Sequence, residues 1–210
     1  LWGWSAGNKS YNSGDQAFLI CGPMSANKNS FSGDCPTQNM VDKFETKWGD
    51  PLNTPAEREA AAALGHYNEQ DPYKNRDPRF YIDIIYNTAP IPGYGTAKMY
   101  YEMKNGNASY SELLDQNYAG ITRTGYYQRK RWGEQSVKNK IKPLITDPII
   151  RLAELYLNYA EAANEAYGPN TPAPGASLTA VQAINLIRDR IGMAPVQDKF
   201  TASKEDFRPR

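Results

Sequence analysis

The sequence predicts a mainly helical protein in which hairpin-like helical repeats carry an irregular, loop-rich region and a few short strands. Three observations point there. From Pro148 to Tyr167 the residues Ile149, Leu152, Ala153, Tyr156, Ala160, Ala163 and Tyr167 recur at three- and four-residue steps, which lays one apolar stripe along a helix. A second run, "LTAVQAINLIRDRIG", repeats the period with Val181, Ile184, Ile187 and Ile191. Residues 1–55, by contrast, are crowded with Gly, Ser, Asn and Pro, the residues of turns and loops.

Taken along the chain, the opening reads as loop, interrupted by "PTQNMVDKFE", where Met40, Val41 and Phe44 share a helical face. "PAEREAAAALGH" is a second short helix, opened by Pro55 and closed at Gly65. In "DPYKNRDPRFYIDIIYN" Tyr81, Asp83 and Ile85 alternate with Phe80, Ile82 and Ile84, which predicts a strand. Residues 87–120 return to turns and tyrosines, and "GYYQRKRW" is a further extended stretch. The long helix follows, with Thr146 or Asp147 as its cap, Pro148 in its first turn and Gly168-Pro169 as its stop. After "PNTPAPGAS" the second helix ends at Gly192, and Ser203 with Asp206 opens a third. One helical hairpin cannot cover its own apolar faces, so these rods need neighbours. The chain divides into a loop-rich part, residues 1–145, and a helical part, residues 146–210, as portions of one larger domain.

Composition narrows the function. The formal net charge is +1, so no long-range field favours a nucleic acid. In "TGYYQRKRW" strand alternation sends Tyr126 and Gln128 one way and Tyr127 and Arg129 the other, so rings and cations do not align as a polyanion surface would need. His66 is the one histidine, a poor start for metal or imidazole chemistry and better read as a satisfied or solvent-facing side chain. Phosphate loops, GxGxxG, HExxH, nucleophile elbows and CxxC pairs are all missing from the sequence, and no cofactor is implied. Arg76, Asp77 and Arg79 in "RDPRF" read as turn chemistry and ion pairing rather than an acid–base set. Cys21 and Cys35 leave one pairing, a local staple in an oxidising compartment and two thiols in a reducing one. No run reaches the roughly 20 apolar residues of a membrane span. The absence of an initiator Met, and a third helix broken off at its start, suggest a piece of something longer.

What remains is a surplus of amphipathic rings: 15 Tyr and 4 Trp. Flat apolar faces flanked by amides and carboxylates suit sugars, whose C–H groups stack while their hydroxyls take hydrogen bonds. Trp2, Trp4 and Tyr11, with Asn8, Asn12 and Asp15 nearby, are the leading ligand-binding candidates, and Trp48 in "ETKWGDP" is another. Each has a plainer role open to it, as an anchor pinning a loop. Tyr94, Tyr100 and Tyr101 stand in a turn-rich region and serve equally well as contacts to a partner. Tyr156, Tyr159 and Tyr167 fit helix packing.

"DPIIRLAELYLNYAEAANE", the Pro-rich linker and "AINLIRDRIGMAPV" resemble the SusD/RagB family of outer-membrane nutrient-binding lipoproteins. "PTQNMVDKFE", "YKNRDPRFYIDIIYN" and "TGYYQRKRW" match the same family in the same order, so the resemblance covers about residues 36–196. It implies tetratricopeptide-like helical pairs arranged as a SusD-like superhelix. It also implies a lipid-anchored subunit on the extracellular face of the outer membrane. Such a subunit captures glycan, or peptide in some branches, for a SusC-like TonB-dependent transporter, without catalysis and without a nucleic-acid partner. The resemblance places the N-terminal loops near the ligand. The lipidated cysteine and the typical C-terminal tail of the family lie outside this sequence. A structural or adhesive surface protein and a glycan hydrolase are the alternatives.

Overall fold

The computed structural model describes residues 2–4, 33–91, 95–97, 102–104, 107–109, 122–130 and 147–207. Helix α1, Gln38–Asp42, starts where the Thr37 hydroxyl accepts from the Met40 amide at 3.3 Å. It buries Val41 and, just beyond its end, Phe44, but Met40 is half exposed, so the shared face is narrower than the pattern suggested. Helix α2, Pro55–Ala63, opens with a capping box in which Thr54 and Glu57 satisfy each other's amides. Gly65, at φ +73°, lets the chain turn away after it.

The strand expected over residues 80–85 is corrected. Pro78–Asp83 is helix α3, because Asp77 accepts from the Arg79 amide at 2.8 Å and Pro78 presets the first turn. Only Ile84–Ile85 is extended, as a short strand. It runs antiparallel to a second strand, Tyr127–Gln128. Adjacent residues on such a ladder face opposite ways. Ile84 and Tyr126 therefore enter one cluster with Val41, Phe44 and Phe80, and Ile85 and Tyr127 enter another with Ala89, Ile91 and Ala97. The tyrosines of "TGYYQRKRW" are thus core residues, at 6% and 0% exposure. Burying such a side chain stabilises the fold by about 1.5–3 kcal/mol.

Arg76 ties the first cluster together. Its guanidinium lies over the Phe80 ring and donates to the carbonyls of Pro72, Val41 and Phe44 at 2.7–2.9 Å. Asp77, 1% exposed, caps α3 and pairs with Arg79, which is the turn-and-pair role expected of "RDPRF". Two further antiparallel pairs are short: Pro90–Ile91 with Gly95–Thr96, and Glu102–Lys104 with Asn107–Ser109.

The long helix starts later than its periodicity suggested. Asp147–Ile150 is a strand that pairs antiparallel with Trp2–Trp4, so the expected cap at Asp147 is corrected, Thr146 lies outside the described residues, and part of the opening loop is strand. Helix α4, Leu152–Tyr167, is entered from Arg151, which has no side-chain cap bond. It ends where Gly168 takes φ +88°, a conformation that glycine adopts without strain. Helix α5, Ala180–Asp189, opens with a Thr179–Gln182 capping box.

The two helices meet through Ala160, Ala163, Ala180 and Ala183. Small side chains let the backbones approach. Val181, Ile184, Ile187 and Ile191, expected to be buried, are only partly covered. Tyr156 and Tyr159 pack beside the alanines, and the Tyr159 hydroxyl donates to the Leu178 carbonyl, but Tyr167 is 45% exposed. A final helical turn, α6, Lys204–Phe207, follows the expected Ser203–Asp206 cap. Lys204 donates to the Glu165 carbonyl at 3.0 Å, satisfying an orphan group at the end of α4.

Candidate functional site

Of the four rings singled out for ligand contact, Trp48 is the one whose side chain is described. Trp2 and Trp4 lie on the strand paired with Asp147–Ile150, and Tyr11 falls outside the described residues, as do Tyr94, Tyr100, Tyr101 and Cys21. Cys35 is half buried against the cluster around Ile85 and Tyr127. Trp48 is set by the turn that follows α1. The Thr46 amide donates to the Asp50 carbonyl at 2.9 Å, and Gly49 closes the bend at φ +86°. The indole then stacks on His66, with centroids 4.1 Å apart and planes 15° from parallel, and the Lys47 ammonium lies 4.4 Å from its centre. A partly buried ring with an imidazole and a cation already on it has less π surface left for a ligand.

Beneath the ring pair lies a saturated carboxylate. Asp50 Oδ2 accepts from Thr46 Oγ1 at 2.6 Å and bonds His66 Nδ1 at 2.7 Å, while Oδ1 accepts from Gln197 Nε2 at 3.0 Å. Burial pushes this carboxyl upward, but the hydrogen bonds from Thr46, Gln197 and His66, with the imidazole's charge, outweigh burial and hold it below its ordinary value. A hydroxyl, a carboxylate and a histidine side by side invite comparison with a hydrolytic triad. The order is wrong for one. Activation requires the imidazole between hydroxyl and carboxylate, and here the carboxylate stands between the other two. Of the two plain roles expected for His66, satisfied or solvent-facing, the satisfied one holds.

Gln197 is the member that the sequence concealed. It comes from the segment after α5 and also donates to the Trp48 carbonyl at 3.3 Å, from a position 149 residues away along the chain. Arg188 of α5 makes the neighbouring link, pairing with Glu45 at 2.7 Å and donating to the Ala194 carbonyl. The aromatic bend is thereby held against the helical hairpin. No local pattern marks either contact.

Elsewhere Tyr67 donates to Glu69 at 3.2 Å, and its phenol is pushed up to about 12 by burial first and by the Glu69 charge second. Burial, with help from Tyr73, also raises Tyr126. Both therefore stay protonated donors at neutral pH. Among the described residues no cluster of His, Cys, Asp and Glu could hold a metal ion, and no helix is long and apolar enough to cross a membrane.

The model of the SusD family matches residues 2–209. Among solved structures, a SusD-like protein from Bacteroides fragilis superposes with a TM-score of 0.60 at 22% identity. The match covers 98% of this chain and 37% of that one, so the chain spans little more than a third of that protein's length. None of the curated proteins compared with it matches.

Proposed function

The chain belongs to the SusD family, and from that premise we propose that it is part of a non-catalytic subunit that captures nutrient at the cell surface. The observation that carries this reading is the reach of the family match, nearly end to end over residues 2–209. The ligand of first choice is an oligosaccharide. It is held by stacking on exposed rings and by hydrogen bonds to amide, carboxylate and guanidinium groups, then handed to a SusC-like TonB-dependent barrel. The protein acts on the extracellular face of the outer membrane, held there by a lipid anchor outside this segment.

Trp2, Trp4 and Tyr11 are the rings proposed to stack, and Trp48 is a further candidate. The Asp50 cluster supports the reading in one respect: it supplies rigidity and no activated nucleophile, which suits a preformed binding surface.

The test is incubation of the protein with a panel of oligosaccharides and peptides, measuring depletion and products together. Depletion of an oligosaccharide without product is the expected result. Depletion of peptides alone moves the ligand class, new products point to hydrolysis, and no depletion of either sinks the capture reading. Single substitutions Trp2→Ala, Trp4→Ala, Tyr11→Ala and Trp48→Ala are then expected to weaken binding, by about tenfold at a ring that stacks. Unchanged affinity in all four removes ring stacking as the mechanism.

A further inference from the structure

The face that α4 turns to α5 is not its only apolar one. Leu152, Leu155, Tyr159, Ala162 and Ala166 recur at alternating three- and four-residue steps, the spacing of a helix–helix seam. Tyr156, Ala160 and Ala163, which pack with α5, lie about a quarter-turn away around the helix. Leu152 and Leu155 are 62% and 53% exposed, and Ala162 and Ala166 are exposed as well. Tyr159 is partly covered, its hydroxyl held by the Leu178 carbonyl. Large side chains thus stand at the N-terminal end of this seam and small ones at its C-terminal end.

The charges beside the seam run against the helix. Arg151 stands at the N-terminus of α4 and Glu165 in its last turn, which holds no basic residue, and both are exposed. A helix carries partial positive charge at its N-terminus and partial negative charge at its C-terminus, so the dipole of α4 disfavours both residues where they are. Helical spacing puts the two on one flank of the seam, the flank away from α5.

We propose that this face is self-complementary and that a second copy of the chain packs its own α4 there, antiparallel, about a two-fold axis at Tyr159. In that register Leu152 meets Ala166 of the second copy and Leu155 meets Ala162 of the second copy, so each large side chain faces a small one. Arg151 meets Glu165 of the second copy, and the symmetry makes that pair twice. Each charge then lies beside the end of the neighbouring helix that attracts it, so what is unfavourable within one helix is favourable between two. A parallel pair sets leucine on leucine and alanine on alanine. The seam is about 21 Å long, and one helix pair of that length buries less than the about 1,600 Å² of a standard interface. The dimer is therefore weak, with a dissociation constant of about 10–100 μM.

The experiment is sedimentation velocity on the 210-residue chain from about 5 to about 500 μM, where monomer is expected to pass into dimer. Arg151→Glu and Glu165→Arg, each alone, are expected to weaken association about tenfold, since each turns both ion pairs into like-charge contacts. Mixed in equal amounts, the two variants are expected to associate within about threefold of the wild type, because their heterodimer again sets Glu against Arg at both ends. The dipole of α4 favours both reversals, and a melting temperature near that of the wild type checks that each variant folds. Should Glu165→Arg fail to fold, Ala162→Glu, at an exposed site, sets a carboxylate against Leu155 of the second copy and is expected to weaken association at least about tenfold. A chain that stays monomeric at about 500 μM leaves this face to a segment from outside the chain and overturns the proposal. Reversed-charge variants that associate like the wild type, a mixture that does no better than either variant alone, or an Ala162→Glu dimer of unchanged affinity overturn it too. None of these outcomes bears on nutrient capture, which is read from oligosaccharide and peptide depletion.

Discussion

Arg76 shows how much one buried side chain can organise. At 3% exposure it serves three carbonyls from two stretches of chain, and burial lowers its pKa without discharging it. Arg76→Ala removes a buried donor from each of those carbonyls, of which Val41's keeps the Phe44 amide, and is expected to cost about 3 kcal/mol, read as a drop in urea midpoint at unchanged slope. Asp50 makes a pH-dependent contribution. Its folded pKa lies below its ordinary value of 3.8, so its stabilisation is complete above that range and drains away as pH falls through the folded value. Melting temperature followed from about pH 7 to about pH 3 should therefore fall more steeply below about pH 4 in the wild type than in Asp50→Asn. Equal slopes would mean that the hydrogen bonds from Thr46, Gln197 and His66 do not favour the ionised carboxylate. The residues of "RDPRF" were legible because turn and pairing chemistry is local. Trp48 was legible as an aromatic in a bend, but its ring partner His66 and its tie to Gln197 were not, since both depend on distant chain arriving there.

At the scale of elements, the cap expected at Ser203–Asp206 is present and the one expected at Asp147 is not, while alternation marked Ile84–Ile85 and Tyr127–Gln128 but misread Pro78–Asp83. Thr54–Glu57, Thr179–Gln182 and Ser203–Asp206 each hold a helix start. "PRFYID" alternates like a strand, yet Ile82 is 61% exposed and Phe80 is fully buried. One turn of helix from the Asp77 cap explains that better than a pleat. Asp147–Ile150 continues the helical period into what is a strand, because its partner Trp2–Trp4 lies some 145 residues earlier and outcompetes a first helical turn. The α4–α5 contact rests on four alanines, of which Ala183 is fully buried. Ala183→Leu must push the helices apart and is expected to cost about 1–3 kcal/mol in denaturant unfolding. A stability unchanged within error would mean that the seam has room to spare.

For the whole molecule, the apolar surface that the described residues leave uncovered is the telling feature. Leu152 and Leu155 on α4 are 62% and 53% exposed, and Ile149 just before them is 72% exposed. Contiguous exposure of this kind marks contact surface and agrees with a helical pair that stacks on neighbours. The double substitution Leu152→Glu and Leu155→Glu is expected to lower self-association in sedimentation velocity while changing stability by no more than about 0.5 kcal/mol. A large loss of stability would show that these leucines are covered within the chain. Arg188 with Glu45, and Gln197 with Asp50, bind the hairpin to the bend that carries Trp48.

By itself the sequence determined the helical hairpin, its stops, and the resemblance to the SusD/RagB family, since period and turn chemistry act over a few residues and survive in any context. It also determined that chemistry built on several histidines was out of reach. Only the tertiary structure decided that "TGYYQRKRW" feeds two cores, that the helix expected from residue 148 starts at 152, and that Asp50 is saturated by three partners. It alone decided that the hairpin and residues 43–53 line one cavity. Each of those outcomes is set by which distant segments meet, and local propensity carries no record of the meeting.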